Sequence, residues 1–236
     1  MEKGIFYGIG VGPGEEGLIT LAGYQVLQKV ELIIIPAKNI NQKSRAYDII
    51  RNIIPDDVRV LKQAYPMSSD PSVLEKAWQI NQAEISQYLE EGKDVAFITL
   101  GDPFIYSTYS YIYQLLAEEG YQIETIPGIS SFQALSARVG KPLVQGDEKL
   151  ALLPGINDSQ ELEDILDIFE TVVILKVSRS YKMIYQVLEE RNLLDKAYLV
   201  SKLGFNGEEV KEELSSDAKG KKLPYLTTLI IKKGCE

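Results

Sequence analysis

The chain has 236 residues, 45% hydrophobic and 25% charged, with a formal net charge of -9 and no histidine. That balance describes a globular protein able to bury a sizeable core, and the missing imidazole excludes Ser-His-Asp and Cys-His catalysis, histidine zinc sites and the usual neutral-pH proton shuttle. The acidic surplus without a basic tract argues against nucleic acid as partner. No apolar run approaches the roughly 20 residues of a membrane span, residues 1–4 carry no secretory n-region, and the single cysteine, Cys235, excludes an internal disulfide and reads as a terminal bystander. A cytoplasmic protein away from membranes is expected.

Short continuous apolar runs at residues 5–9, 32–35, 95–100, 150–153, 172–177, 198–200 and 226–231 predict buried strands. The first runs into "GIGVGPGEEGLITL", residues 8–21, which superficially matches a phosphate-binding glycine loop. A dinucleotide fingerprint fails there, because Pro13 or Glu15 stands where the third glycine belongs and Pro36 stands where the second strand should end in an acid. No glycine-lysine pair precedes Ser or Thr, so a P-loop fails as well. What remains is a tight turn at a strand end, where α/β proteins place ligands.

Next comes "DPSVLEKAWQINQAEISQYLEEG", the clearest helix. Asp70 suits the N-cap, Pro71 the first turn, Gly92 the stop, and Val73, Leu74, Ala77, Trp78, Ile80, Ile85, Tyr88 and Leu89 form one apolar face. The strand after it leads through "LGDPFIYSTYSYIY" into a further helix. Asp102 is placed to cap that helix, and Tyr106, Tyr109 and Tyr113 would share one face of it, a core more readily than a ligand surface. "ETIPGISSF" repeats the pattern of strand, Pro-Gly turn and serine-rich helix start; it misses the nucleophile-elbow pattern at Phe132. Alternating strands and helices imply an α/β fold with largely parallel sheets. A boundary within residues 118–122 would divide the chain into an N-terminal domain, 1–118, and a C-terminal domain, 119–236. The charged, glycine-punctuated stretch 204–222 reads as a solvated excursion, and its Ser216-Lys219 SxxK match as accidental.

The glycine turn from Gly10 to Thr20, "LGDPFIYST" and "IPGISS", in this order, resemble the tetrapyrrole methylase family, with one extra residue in the first motif's spacing. "SRAYDII" and "YPMSSD" resemble the branch that methylates carbon 20 of precorrin-2. The resemblance covers essentially the whole chain. It implies two α/β domains of the tetrapyrrole methylase type with the active-site cleft between them, a homodimer, and S-adenosylmethionine as cofactor, released as S-adenosylhomocysteine. It also implies cofactor contacts at Leu100, Gly101, Asp102, Ile105, Tyr106, Ser107, Thr108, Ser130, Ser131, Met183, Leu226 and Thr227.

By the same resemblance the substrate is precorrin-2 or its cobalt complex. It would lie against Gly12, Pro13 and Gly14, with its carboxylates held by cations such as Lys38, Arg45, Lys176 and Arg179. The electrophile comes with the cofactor, so positioning and exclusion of water are the protein's main work. A base to remove the proton from carbon 20 could be Asp102, Glu148 or a tyrosine, and no metal ligand set is expected. Action on another tetrapyrrole carbon or another acceptor, and a non-catalytic tetrapyrrole-binding sensor, are the alternative readings.

Overall fold

The computed structural model describes residues 2–68, 70–215, 220 and 222–234; Cys235 and the Ser216-Lys219 pair lie outside the described residues. The chain divides into two compact units, residues 1–130 and 131–236.

In the first unit β1 (Phe6–Gly10), β2 (Leu32–Ala37), β3 (Arg59–Ala64), β4 (Val95–Thr99) and β5 (Ile123–Ile126) form one sheet in the order β3-β2-β4-β1-β5. Every pairing in it is parallel, so all five C-terminal ends share one edge. The sheet is covered by α1 (Leu21–Leu27), α2 (Arg45–Ile50), α3 (Pro71–Glu90) and α4 (Tyr109–Glu118). That accounts for the apolar runs, since parallel strands buried on both faces need not alternate. On one face Phe6, Leu32, Ile34 and Phe97 pack with Ile85 and Leu89 of α3 and with Tyr109, Ile112 and Leu116 of α4. Each such side chain contributes about 1.5–3 kcal/mol when fully buried.

α3 starts and stops where its sequence requires. Asp70 accepts from the Ser72 amide, Pro71 occupies the first turn, and at the other end the amides of Gly92 and Lys93 return to Leu89 and Tyr88. Its expected apolar face is narrower than the periodicity suggests. Ile85 and Leu89 are buried, Val73 and Ile80 are exposed, and Trp78 stacks on Tyr111 of α4 at 4.1 Å between ring centroids. Two polar residues, Asn81 and Gln82, take buried positions instead.

The second unit contains α5 (Ser131–Val139), β6 (Leu150–Leu153), α6 (Ser159–Ile168), β7 (Thr171–Ile174), α7 (Tyr181–Glu190), β8 (Ala197–Ser201), β9 (Glu209–Lys211) and β10 (Thr227–Lys232). Its sheet order is β6-β7-β10-β8-β9. Only β6 and β7 pair in parallel, while β10 runs antiparallel to β7 and β8, and β9 antiparallel to β8. The expectation of largely parallel sheets therefore holds for the first unit alone. In the second, β9 follows β8 after seven residues and pairs with it antiparallel, and β10 enters between β7 and β8 antiparallel to both.

The division after Ser130 lies beyond the expected 118–122. β5 follows that stretch and pairs with β1, so it completes the first sheet. Among the described residues no helix is long and apolar enough to cross a membrane.

Candidate functional site

Three neighbouring strands, β4, β1 and β5, end side by side, and each runs into one of the turns singled out in the sequence. The turns meet main chain to main chain. The Gly101 amide donates to the Gly12 carbonyl at 2.8 Å, an isolated antiparallel bridge just past the parallel β1-β4 ladder. A Cβ on Gly10 would lie 2.5 Å from the Gly101 carbonyl oxygen and 2.6 Å from the Gly128 Cα; one on Gly128 would lie 2.1 Å from that same oxygen. No side chain fits at either position, so glycine is required there by close approach. Gly12 and Gly101 add positive φ values of 81° and 72°.

Asp102 holds two of these turns together. One carboxylate oxygen accepts from the Phe104 amide at 2.9 Å and the other from the Gly128 amide at 3.1 Å. The expected cap on α4 is not made. Helix α4 begins at Tyr109, seven residues on, with Thr108 at its N-cap and no side-chain cap bond. With both oxygens bound to main-chain N–H groups, Asp102 is a clamp between the β4 and β5 turns.

Hydroxyl groups line the next stretch. Ser107 Oγ lies 2.8 Å from Thr99 Oγ1 and accepts from the Tyr109 amide, while Ser110 Oγ donates to the Ser107 carbonyl. Tyr106 is not on the helical face expected of it: its φ is 48° and its side chain is exposed, at 48%. A tyrosine in the left-handed region costs about 1–3 kcal/mol and persists only where its surroundings over-determine it. Tyr109 is fully buried, its ring against the Cα of Gly8 and its hydroxyl 2.6 Å from Thr125 Oγ1; burial pushes that hydroxyl up to about 12. Tyr109 is thus core, and Tyr113 packs against the same cluster.

Of the remaining expected contacts, Leu100, Ile105 and Thr108 are partly buried along the β4 turn, and Pro13 and Gly14 are buried beside Gly12. Ser130 is buried at the end of the β5 turn. Lys38 is exposed just past β2, and exposed Arg45 opens α2, 3.7 Å from Asp48. Both lie at the sheet edge that carries the three turns.

In the second unit Ser131 Oγ lies 2.8 Å from Thr228 Oγ1, and Thr227 Oγ1 lies 2.8 Å from Ser201 Oγ and donates to the Pro224 carbonyl. Leu226 and Thr227 enter β10 beside the end of β8. Met183, on α7, packs against this unit's hydrophobic core. Lys176 and Arg179 are exposed just after β7. Glu148 is ion-paired to Lys232, which is only 3% exposed, and that partner and the Gln145 amide lower its pKa. A carboxylate so held is a poor proton acceptor. Sequence reasoning placed Gly10 and Gly128 in the turns but not their mutual close approach; Thr99 was not singled out, and nothing local marked it.

A model of the family described as Tetrapyrrole (Corrin/Porphyrin) Methylases matches residues 6–218. The chain is 41% identical, over 72% of its length and 71% of the relative's, to a protein of Methanocaldococcus jannaschii named probable cobalt-precorrin-2 C(20)-methyltransferase. It is 29% identical, over 99% of its length and 98% of the relative's, to the cobalt-precorrin-2 C(20)-methyltransferase of Salmonella typhimurium. Among solved structures, a cobalt precorrin-4 methyltransferase shares the fold with a TM-score of 0.73 at 20% identity, over 97% of this chain and 94% of that one.

Proposed function

The chain belongs to the tetrapyrrole (corrin/porphyrin) methylase family, and from that premise we propose that it is an S-adenosylmethionine-dependent methyltransferase acting on carbon 20 of cobalt-precorrin-2. The observation that carries the reading is the Gly10-Gly101-Gly128 junction, a surface of bare main chain at the shared C-terminal edge of a parallel sheet. Such a surface fits a compact cofactor whose amino, carboxylate and ribose groups take hydrogen bonds from main chain and small hydroxyls. The two relatives whose names specify the reaction support the acceptor and the position. Both names carry the cobalt form, which favours it over metal-free precorrin-2.

When bound, S-adenosylmethionine supplies a methyl group on cationic sulfur, which an electron-rich acceptor carbon takes in line. The residues then have positioning roles. Leu100, Gly101, Ile105, Tyr106, Ser107, Thr108 and Ser130 are the proposed cofactor contacts of the first unit, and Ser131, Met183, Leu226 and Thr227 those of the second. Asp102 fixes the spacing of the β4 and β5 turns through its two main-chain bonds, one to each carboxylate oxygen. Gly12, Pro13 and Gly14 face the acceptor, and Lys38, Arg45, Lys176 and Arg179 pair with its carboxylates. A second copy of the chain as partner, and a cytoplasmic setting, complete the proposal.

The test is anaerobic incubation with S-adenosylmethionine carrying a carbon-13 methyl and with cobalt-precorrin-2 or precorrin-2, followed by mass spectrometry and NMR. One labelled methyl at carbon 20 supports the reading, and the preferred substrate decides the metal. Label at another carbon overturns the assigned position; no label alongside tight cofactor binding points to the sensor.

A further inference from the structure

At the edge of the first sheet, β3 buries a glutamine. Gln63 is 2% exposed in a strand whose other residues are exposed or half-buried. Its amide is fully used: Nε2 donates to the Asn81 carbonyl at 3.0 Å and to Glu84 Oε2 at 2.9 Å, and Oε1 accepts from the Tyr65 hydroxyl at 2.8 Å. Asn81, on α3, returns a bond from Nδ2 to the Ala64 carbonyl at 2.8 Å. The Tyr65 amide donates to Ala37 at the end of β2, and the Tyr65 ring meets Phe97 of β4 edge-on at 5.7 Å.

Leucine at Gln63 together with phenylalanine at Tyr65 would remove the donor and the acceptor of the buried Tyr65-Gln63 bond at once, and apolar replacement of both partners is often neutral or stabilising. What a fully satisfied network adds is one defined arrangement. Here every bond converges on Gln63, Ala64 and Tyr65, where the chain leaves β3. The connector that follows, Tyr65 to Ser68, therefore departs along a path set by both β2 and α3. It departs from the edge that carries the three glycine turns, and it presents Met67, 61% exposed.

We infer that Gln63, Tyr65 and Asn81 are positioning residues that hold residues 65–68 as an acceptor-recognising wall of the site, with Met67 as its contact with the tetrapyrrole. The inference rests on the function proposed above. It assigns the connector to the methyl acceptor and not to the cofactor, since β2, whose end leads to Lys38 and Arg45, lies between the connector and the β4 turn of the glycine junction. Burial raises the Tyr65 hydroxyl far above its ordinary range, so it remains a neutral donor to Gln63 across the working pH range.

Three variants of the full chain test it: Tyr65→Phe, which removes one hydroxyl; the apolar pair Gln63→Leu with Tyr65→Phe; and Met67→Ala. The readouts are S-adenosylhomocysteine affinity by calorimetry, and KM and kcat for cobalt-precorrin-2. The expected result is cofactor affinity within twofold of wild type in all three, with the acceptor KM raised about fivefold or more and kcat changed less. An unchanged KM in Met67→Ala and Tyr65→Phe overturns the inference, as does a parallel loss of cofactor affinity, which would mark the network as general scaffold. Should the apolar pair fail to fold, the two single variants decide. Wild-type protein that binds S-adenosylhomocysteine yet methylates no tetrapyrrole removes the proposed function and this inference with it. Wild-type turnover with unaffected variants removes this inference alone.

Discussion

Asp102 is one residue whose type was legible and whose task was not. Its identity follows from the turn sequence, yet its second partner, Gly128, lies 26 positions away, and a helix cap was the only role that local spacing could suggest. Because each oxygen already accepts a main-chain N–H, replacing one by an amide NH2 sets donor against donor. Asp102→Asn is expected to weaken S-adenosylhomocysteine binding roughly tenfold, about 1.4 kcal/mol, by calorimetry, with the protein still folded. The glycines were easier to read, since close approach and positive φ leave few other residues possible. Gly128→Ala would place a methyl 2.1 Å from a carbonyl oxygen that cannot move without breaking the Gly101-Gly12 bond. We expect it to abolish measurable cofactor binding and to lower the unfolding temperature by several degrees.

Elements were legible where a single physical signal sufficed. Continuous apolar runs gave the buried strands, and the Asp-Pro start with a glycine stop gave α3. β3 escaped notice because an edge strand of mixed polarity, Arg59 to Ala64, has neither an apolar run nor strict alternation. β9, three residues long inside a charged stretch, escaped for the same reason. At the end of α4 the amides of Gly120 and Tyr121 close on Ala117 and Leu116, with Gly120 at φ 76° and no atom within 4 Å of where its Cβ would sit. Gly120→Ala thus isolates the conformational term and should cost about 1 kcal/mol in denaturant unfolding, leaving cofactor affinity unchanged.

The link between Glu148 and Lys232 of β10 belongs to this scale too. The folded pKa of Glu148 is held below the ordinary 4.5, chiefly by Lys232. Its stabilisation is present above that ordinary value and lost as pH falls through the folded one. Glu148→Gln should accordingly be less stable than wild type at pH 7, and the gap in denaturation midpoint should close on acidification.

At the scale of the molecule, each of the two units has a sheet and a hydrophobic core of its own. Calorimetric unfolding is expected to depart from two-state behaviour, with a calorimetric enthalpy larger than the van't Hoff value. The α/β class was legible from the alternation of strands and helices, but strand direction in the second unit was not, because an apolar run is equally apolar in either sense. Strand order there has its own effect. β10 is the last strand of the second sheet to leave the ribosome, yet it lies at that sheet's centre, between β7 and β8. Until it is synthesised, β6-β7 and β8-β9 are two ribbons with no ladder joining them, while the first unit already has all five of its strands. The second sheet therefore waits on β10 during translation, and a nascent chain stalled short of residue 227 would present two unpaired inner edges to the cell's chaperones.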